Sequence, residues 1–371
     1  MNWIRSALPN ADQILKGLDP YLTALGDQFG EFGQEMHGIY SVINETYPGH
    51  MSFGELVLLN IFYDVTAGCT SIVGSSANPY FCSKTNTEKY PPSAPPSPNV
   101  LYGCASADEP KLIHGRNLDF PIPGLPNITA IVHFKKGGAA DSPEGEVVLR
   151  GVTYMGYVGI LTGYRPGGWS VSVDQRDVHK WNNQTELPII DNVISVLMGG
   201  QSLGTFLRKS LLEIPTYSQA VSVLSTTRLV APVYLIVGGL TGDEGAIITR
   251  AREGVDNSGG ANRGTWSINW QNREWYRAQT NDDNWLPARD DRRETAYMAM
   301  ERVGPYRLNQ TTILEVMATP NVYNQWTTFT AYMSPAFDFI HCHVTHRYKT
   351  TPNEKYLRES EPFWQRFVPV N

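Results

Sequence analysis

The hydrophobic pattern of this chain first changes period at Cys69, and that break sets what the chain can fold into. From Asp12 to about Ile43 the apolar residues Ile14, Leu15, Leu18, Tyr21, Leu22, Leu25, Phe29, Phe32, Met36, Ile39, Tyr40 and Ile43 recur at helical spacing. Pro20 should divide this stretch into a short helix and a longer one, because its ring clashes with the preceding turn. A third helix is predicted over 53–66, with Ser52 as N-cap and Glu55 three residues on to complete a capping box. After Cys69 the texture becomes short β-like runs at 69–73, 111–117, 128–134, 146–152, 157–161 and 169–173. Helical patterns return at 188–212 and 217–226, strands at 233–238 and 246–250, a helix near Arg292, and strands at 327–333 and 337–344. Strands that follow one another, with helices grouped between them, predict an α+β fold of stacked antiparallel sheets with helices outside, preceded by a helical segment. Residues 84–100 carry Pro91, Pro92, Pro95, Pro96 and Pro98 and read as an exposed, polyproline-biased excursion.

Composition removes several function classes. The 371 residues can bury a sizeable core as one large domain or two to three ordinary ones. With 30 Lys+Arg against 36 Asp+Glu the net charge is −6, the wrong sign for a protein that binds nucleic acid through phosphate contacts. At 41% hydrophobic and 18% charged residues the chain is neither a coiled coil nor wholly disordered. No apolar run reaches the length of a membrane-spanning helix, and the opening Met-Asn-Trp-Ile-Arg-Ser does not have the form of a secretory signal peptide. Glycosylation triplets begin at Asn44, Asn127, Asn183 and Asn309 and lean toward a lumenal protein. The cysteines, Cys69, Cys82, Cys104 and Cys342, are too few for a disulfide framework in a chain this long, so their placement matters more than their number.

Three polar clusters could carry chemistry. In Ala67-Gly68-Cys69-Thr70-Ser71 a thiol opens a strand directly after a helix, and Gly68 leaves its own carbonyl unshielded. A buried structural cysteine is the alternative. In Ile113-His114-Gly115-Arg116-Asn117-Leu118-Asp119-Phe120 polar side chains interrupt a strand-like run in a way no ordinary half-buried strand shows, which marks a site at a strand end or a turn capped by Asp119. His114 is read as structural, since nothing in the spacing pairs it with a cysteine. The third cluster is Gln279-Thr280-Asn281-Asp282-Asp283-Asn284-Trp285, followed by Asp290-Asp291-Arg292-Arg293, a polar loop and an acidic helix start.

Taken in this order, the clusters resemble the N-terminal-nucleophile lipid amidases, the family of N-acylethanolamine acid amidase and acid ceramidase. The text that carries the resemblance is Gly-Glu-Leu-Val-Leu-Leu-Asn at 54–60, Cys-Thr-Ser-Ile-Val at 69–73, His-Gly-Arg-Asn-Leu-Asp at 114–119 and Gly-Tyr-Val-Gly at 156–159. It continues with Val-Asp-Gln-Arg-Asp at 173–177, Val-Tyr-Leu-Ile-Val-Gly-Gly at 233–239, Gln279-Thr280-Asn281 and Asp290-Asp291-Arg292-Arg293. The amidase looks nearer than the ceramidase, through Gly-Tyr-Val-Gly, Asp-Gln-Arg-Asp and Ile-Val-Gly-Gly. The resemblance implies an αββα sandwich and a precursor cut between Gly68 and Cys69, giving a helical α subunit of residues 1–68 and a catalytic β subunit of 69–371. The Cys69 thiol attacks the Gly68 carbonyl, the peptide N–C bond breaks to free an α-amine and leave a thioester that water hydrolyses, and the amine's ordinary pKa of about 7.7–8.0 suits it as general base for its own thiol. By family position Arg116 lies beside the thiol and favours thiolate, Asp119 orients the amine, Asn281 helps hold the oxyanion, and Arg292 completes the site. A lipid amide substrate, a lysosomal or secreted location, contact with membrane surfaces through the N-terminal helices and no cofactor or metal are implied with it.

Two departures and three alternatives accompany the resemblance. Gln175 stands where the family has Glu, and an amide cannot accept a proton, so acid-triggered self-cleavage is expected to be slower or to work differently. Residues of about 75–110 form an insertion with Cys82 and Cys104, and in an oxidising lumen a bridge between them would close it. Ceramide hydrolysis competes with ethanolamide hydrolysis, an uncleaved lipid-binding relative is the inactive alternative, and a metal site at His341-Cys342-His343 lacks a further ligand pair at suitable spacing. The stripe Phe29, Phe32, Met36, Ile39 and Tyr40 is either a core face or a lipid-docking surface.

Overall fold

The computed structural model describes residues 11–61, 68–77, 110–120, 122, 124–137, 145–176, 195, 200–260, 262–345 and 367–369. The chain begins with three helices, α1 (Ala11–Asp27), α2 (Glu31–Thr46) and α3 (Phe53–Ile61). Pro20 lies inside α1 and does not divide it. Packing of α1 along α3 holds the helix through the proline: Asp19, one residue earlier, accepts a short hydrogen bond from the Ser52 hydroxyl at the start of α3. The break comes instead at Gly30, whose φ of 59° is the left-handed conformation that glycine takes without steric cost. At the start of α3 the capping box forms, with Ser52 N–H on Glu55 Oε2 (2.9 Å) and Glu55 N–H on Ser52 Oγ (3.1 Å). The stripe from Phe29 to Tyr40 packs against Phe53, Leu56, Val57 and Val158, which makes it a core face.

Two antiparallel sheets follow. The first has the order β10 (Tyr276–Gln279), β1 (Gly68–Ser76), β2 (Lys111–Asp119), β11 (Thr327–Ser334), β12 (Phe339–Thr345), β13 (Phe367–Pro369). The second runs in chain order: β3 (Thr129–Lys136), β4 (Glu146–Tyr154), β5 (Thr162–Tyr164), β6 (Ser170–Gln175), β7 (Val233–Gly238), β8 (Gly245–Arg250), β9 (Thr265–Ser267). Helices α4 (Leu203–Glu213) and α5 (Tyr217–Thr226) cover the outer face of the second sheet, where Leu207, Leu211, Ala220 and Leu224 share a cluster with Val171, Val173, Leu235 and Val237. Helices α6 (Arg292–Val303) and α7 (Gln310–Met317) cover the first, with Ala296, Met300, Ile313 and Met317 against Ile72 and Ile113. The close seat of α7 requires Gly115, because a Cβ there would lie 2.9 Å from Ile313 and 3.1 Å from Met317. Between the sheets lie Val73 and Leu112 on one side and Tyr234, Ile236 and Ile247 on the other. The four layers form the αββα sandwich that the resemblance implies.

Several expected elements differ. Residues 157–161 form no strand: the chain turns at Gly156, with φ of 94°, and pairs again only from Thr162. Of the helical pattern at 188–212, the structure describes a helix from Leu203 to Glu213 and a helical Ser195, and 188–194 and 196–199 lie outside the described residues. The run at 113–120 is the second half of a long strand that ends at Asp119, as the strand-end reading expects, and not a turn; it is buried throughout because a sheet covers one face and helices the other. Among the described residues no helix is long and apolar enough to cross a membrane.

Candidate active site

Strand β1 begins at Gly68, and its pairing with β2 sets Gly68 against Asp119, Cys69 against Leu118 and Ser71 against Arg116. Side chains alternate across a sheet, so Cys69, Ser71, Arg116 and Leu118 face the second sheet, while Asn117 and Asp119 face α6 and α7. One short stretch of β2 thereby supplies groups to both sides of the Cys69 backbone.

Cys69 is wholly buried, and Arg116 Nη2 donates to its Sγ at 3.2 Å. The guanidinium is held by the carbonyls of Leu161 (2.9 Å) and Val173 (2.7 Å), by the Thr162 hydroxyl, and by the Phe329 ring 5.9 Å below it. A cation so fixed, against a sulfur, in a dry interior, favours the thiolate form of that sulfur. The irregular chain at 157–161 has a use here, since it delivers the Leu161 carbonyl to Arg116.

The backbone of Cys69 is held from the other side. Its N–H donates to Asn281 Oδ1 at 3.0 Å, and its carbonyl accepts from Arg292 Nη1 at 2.8 Å. Arg292 also donates to Asn281 Oδ1 (2.8 Å) and Asp119 Oδ2 (3.3 Å), and its Nε donates to Asp290 (2.9 Å). Asn281 Nδ2 donates to the Gln175 carbonyl at 2.8 Å. With two donors on its oxygen and a carbonyl before its nitrogen, Asn281 presents an acceptor to Cys69, where family position implied an oxyanion donor. Asp119 accepts from Thr327 (2.7 Å) and Asn324 (2.8 Å) as well as Arg292; burial drives its pKa up against these three partners. A cleft of about 500 Å³ lined by Asp119, Asp290, Asp291, Arg292, Asn321, Asn324 and Trp326 opens from this side to solvent.

The sequence-predicted residues Cys69, Arg116, Asp119, Asn281 and Arg292 thus converge on one strand start. Gln175 ends β6, is half-buried, and joins the group through its backbone carbonyl. Cys82, Cys104 and Asn183 lie outside the described residues. Asn44 and Asn127 are exposed, and Asn309 caps α7 in a capping box with Thr312. His341 and His343 flank the Tyr332 ring, and Cys342 is a buried free thiol on the opposite side of the strand; no group of three or more metal-ligating side chains gathers among the described residues.

Two features escaped sequence reasoning. Arg176 is clamped by Asp283 (2.6 and 2.8 Å) and Asp256 (2.8 Å), with the Tyr234 hydroxyl also on Asp283 (2.7 Å), and this fixes the loop that carries Asn281. A buried polar seam between the sheets runs from Asp174 through Ser71 and Ser172 to His114 and Ser170. The Ser-Val-Ser-Val-Asp alternation of β6 was its one visible signal.

No protein-family model matches the chain. It is 33% identical over 309 residues to the N-acylethanolamine-hydrolyzing acid amidase of Rattus norvegicus, an alignment that covers 82% of this chain and 69% of that protein. To the acid ceramidase of Mus musculus it is 30% identical over 340 residues, covering 87% of this chain and 70% of that protein. Among solved structures, the Caenorhabditis elegans N-acylethanolamine-hydrolyzing acid amidase ortholog superposes with a TM-score of 0.53 at 29% identity, over 72% of this chain and 93% of that one. The αββα sandwich, the polar constellation around Cys69 and these likenesses agree: the chain belongs to the family of N-acylethanolamine-hydrolyzing acid amidases and acid ceramidases, amidohydrolases of the N-terminal-nucleophile fold.

Proposed function

We propose that the chain is a self-cleaving cysteine amidase that hydrolyses the amide bond of N-acylethanolamines to a fatty acid and ethanolamine. The observation that carries this is the double hold on Cys69, with a fixed guanidinium on its sulfur and a side-chain oxygen on its nitrogen. In the proposed cycle the thiol first attacks the Gly68 carbonyl. The amide N–C bond breaks, its nitrogen takes a proton, and water releases residues 1–68 from the resulting thioester, leaving an α-amine on Cys69. That amine then takes the thiol proton, the sulfur attacks the substrate carbonyl, the leaving ethanolamine receives the proton, and water hydrolyses the acyl-enzyme. Asn281 orients the amine, Arg116 stabilises the sulfur anion, and Arg292, braced by Asp119 and Asp290, steadies the Cys69 carbonyl. Gln175 contributes its backbone carbonyl, which needs no ionisable side chain.

The two subunits, 1–68 and 69–371, stay together through contacts already in place: Asn60 bonds the Gly156 carbonyl (2.9 Å) and the Val158 N–H (2.8 Å), and Arg208 holds Glu35 (2.5 and 2.7 Å). Contact with a lipid surface falls to the exposed Ile14, Leu18 and Tyr21 of α1, since the Phe29 to Tyr40 stripe is a core face. A lysosomal or secreted location, glycans on Asn44 and Asn127, and a Cys82–Cys104 bridge in the insertion belong to the same reading. Ceramide is the second reading, favoured by the 30% identity to an acid ceramidase over a longer stretch of this chain. The test is to incubate purified protein in acid, follow cleavage on a reducing gel, and assay an N-acylethanolamine beside a ceramide. Two fragments and faster ethanolamide turnover are expected; a full-length chain inactive on both amides refutes the reading.

A further inference from the structure

The polar seam noted above runs through the interior of the sandwich and ends beside the nucleophile. Ser170, Ser172 and Asp174 project from alternate positions of β6 toward β1 and β2. Asp174 is wholly buried; its Oδ1 accepts from Ser71 Oγ at 2.6 Å, and its Oδ2 is buried without a hydrogen-bond partner. Ser172 Oγ contacts Ser71 Oγ at 2.9 Å and His114 Nε2 at 2.8 Å; His114 Nδ1 contacts Ser170 Oγ at 3.1 Å, and Ser170 Oγ lies 3.2 Å from the Gly238 carbonyl.

Each hydroxyl has one hydrogen to give and each imidazole nitrogen has one role. With Asp174 ionised, the donors run toward it: Ser170 to His114, His114 to Ser172, Ser172 to Ser71, Ser71 to the carboxylate. With Asp174 protonated, every link reverses: the carboxyl donates to Ser71, Ser71 to Ser172, Ser172 to His114 Nε2, His114 Nδ1–H to Ser170, and Ser170 to the Gly238 carbonyl. Both states keep His114 neutral, which burial and then the charge of Arg116 enforce by lowering its pKa to about 3. The seam therefore stores one proton at its Asp174 end with every link between Ser170 and Asp174 made in either direction, and only the Gly238 carbonyl gains or loses its donor.

That end faces the catalytic cation. Ser71, which binds Asp174, stands opposite Arg116 in the strand register, and Arg116 Nη2 holds both the carbonyl of Val173, next to Asp174, and the Cys69 sulfur. The charges around the carboxyl are Arg116 and Asp119 from β2 and Arg292 from α6; farther along its own edge Arg176 is spent on Asp283 and Asp256, and Tyr234 of β7 gives its hydroxyl to Asp283. Gln175, the next residue, carries no ionisable group.

We propose that Asp174 is an acid-sensing positioning residue for Cys69, whose carboxylate, once formed, draws on the field of Arg116 that otherwise serves the Cys69 sulfur. Protonated, it leaves that field to the thiolate; ionised, it opposes it, so Cys69 chemistry fades on the alkaline side as Asp174 loses its proton. Burial, working against Arg116 and the Ser71 hydrogen bond, pushes the Asp174 pKa up to about 7, which puts the change in an accessible range. The inference rests on Cys69 as nucleophile, and Cys69→Ala separates the two: an alanine variant as active as the parent removes the nucleophile reading itself.

The experiment is the pH dependence of kcat/KM for a fluorogenic fatty-acyl amide from pH 4 to 9, on the whole protein, for the parent, Asp174→Asn and Ser71→Ala. Asn at 174 cannot ionise, so its alkaline limb should move up by one pH unit or more while its acid-side rate stays within about threefold. Ser71→Ala removes the hydrogen bond that favours the carboxylate and should move the limb in the same direction by a smaller amount. Limbs unmoved in both variants overturn the proposal. If Asp174→Asn does not fold, Ser71→Ala decides alone, because a residue that only packs the core would change yield or kcat without shifting the profile.

Discussion

Replacement of Asn281 separates positioning of the Cys69 nitrogen from every other contribution to the site. In Asn281→Ala the Cys69 N–H loses its acceptor at 3.0 Å, Arg292 loses one at 2.8 Å, and the Gln175 carbonyl loses its donor at 2.8 Å. Two of these are neutral hydrogen bonds, each worth about 1 kcal/mol, and the third is charge-assisted at about 1.5–3 kcal/mol. The sum is about 3.5–5 kcal/mol of stability, less whatever Arg292 regains from water in the cleft it lines. In rate, misplacing the nitrogen that serves as base corresponds to about 10²-fold in kcat. Asn281→Asp is the sharper variant. It keeps an oxygen for Cys69 and Arg292 but has a donor for Gln175 only when protonated. Its activity relative to the parent should therefore rise as pH falls from 7 toward 4, whereas that of the alanine variant stays low throughout. The assay is kcat and KM on a fluorogenic fatty-acyl amide, with urea midpoints measured alongside and self-cleavage followed on a gel. An alanine variant that folds and keeps kcat within threefold of the parent, or an aspartate variant equal to it at every pH, would refute the positioning role.

The remaining predictions concern the seam and the subunit junction. His114 has its pKa lowered from 6.5 to about 3, so unfolding takes up a proton and stability falls as pH drops through that window; Asp174 has its pKa raised from 3.8 to about 7, so unfolding releases a proton and stability falls as pH rises. Between about pH 4 and 6.5 these slopes, roughly 1.4 kcal/mol per pH unit each, oppose one another. His114→Asn should make stability fall with rising pH, and Asp174→Asn should make it rise; parallel urea-midpoint profiles for the two would contradict the assignment. At the junction, Arg208 holds Glu35 through two bonds, and the Phe32 ring of the same helix lies 5.2 Å from its guanidinium. Arg208→Ala should weaken association of the cleaved fragments by about 2–3 kcal/mol, roughly 30- to 160-fold, visible as separation on gel filtration at low concentration. Co-elution at all concentrations would assign the cohesion elsewhere.

Period and punctuation made much of this fold legible. The change at Cys69, the Ser52 and Glu55 capping box and the strand at 233–238 follow from local rules, and the structure reproduces them. Pro20 was misjudged because tertiary packing holds α1 through it. Strand β10, Tyr-Arg-Ala-Gln, shows no apolar alternation and exists because β1 offers it an edge. The α7 signal was present in the Asn309 and Thr312 capping box and went unused. At the site, motif order identified which residues converge but not how. Asn60 and Gly156-Tyr157-Val158-Gly159, far apart in sequence, meet through hydrogen bonds between the Asn60 side-chain amide and the backbone that no spacing reveals. The orientation of Asn281 depends on two donors from different elements. The seam was hidden because serine on a strand gives no periodic contrast strong enough to separate a hydrogen-bonded interior from a solvated face.

The most direct test of the account is N-terminal sequencing of the protein after acid incubation, run beside Cys69→Ala and matched to amide hydrolysis. The account predicts a new fragment beginning at Cys69, activity that appears with it, and an alanine variant that stays whole and inactive. A parent chain that hydrolyses the amide while still intact, or an alanine variant that cleaves between residues 68 and 69, would contradict it.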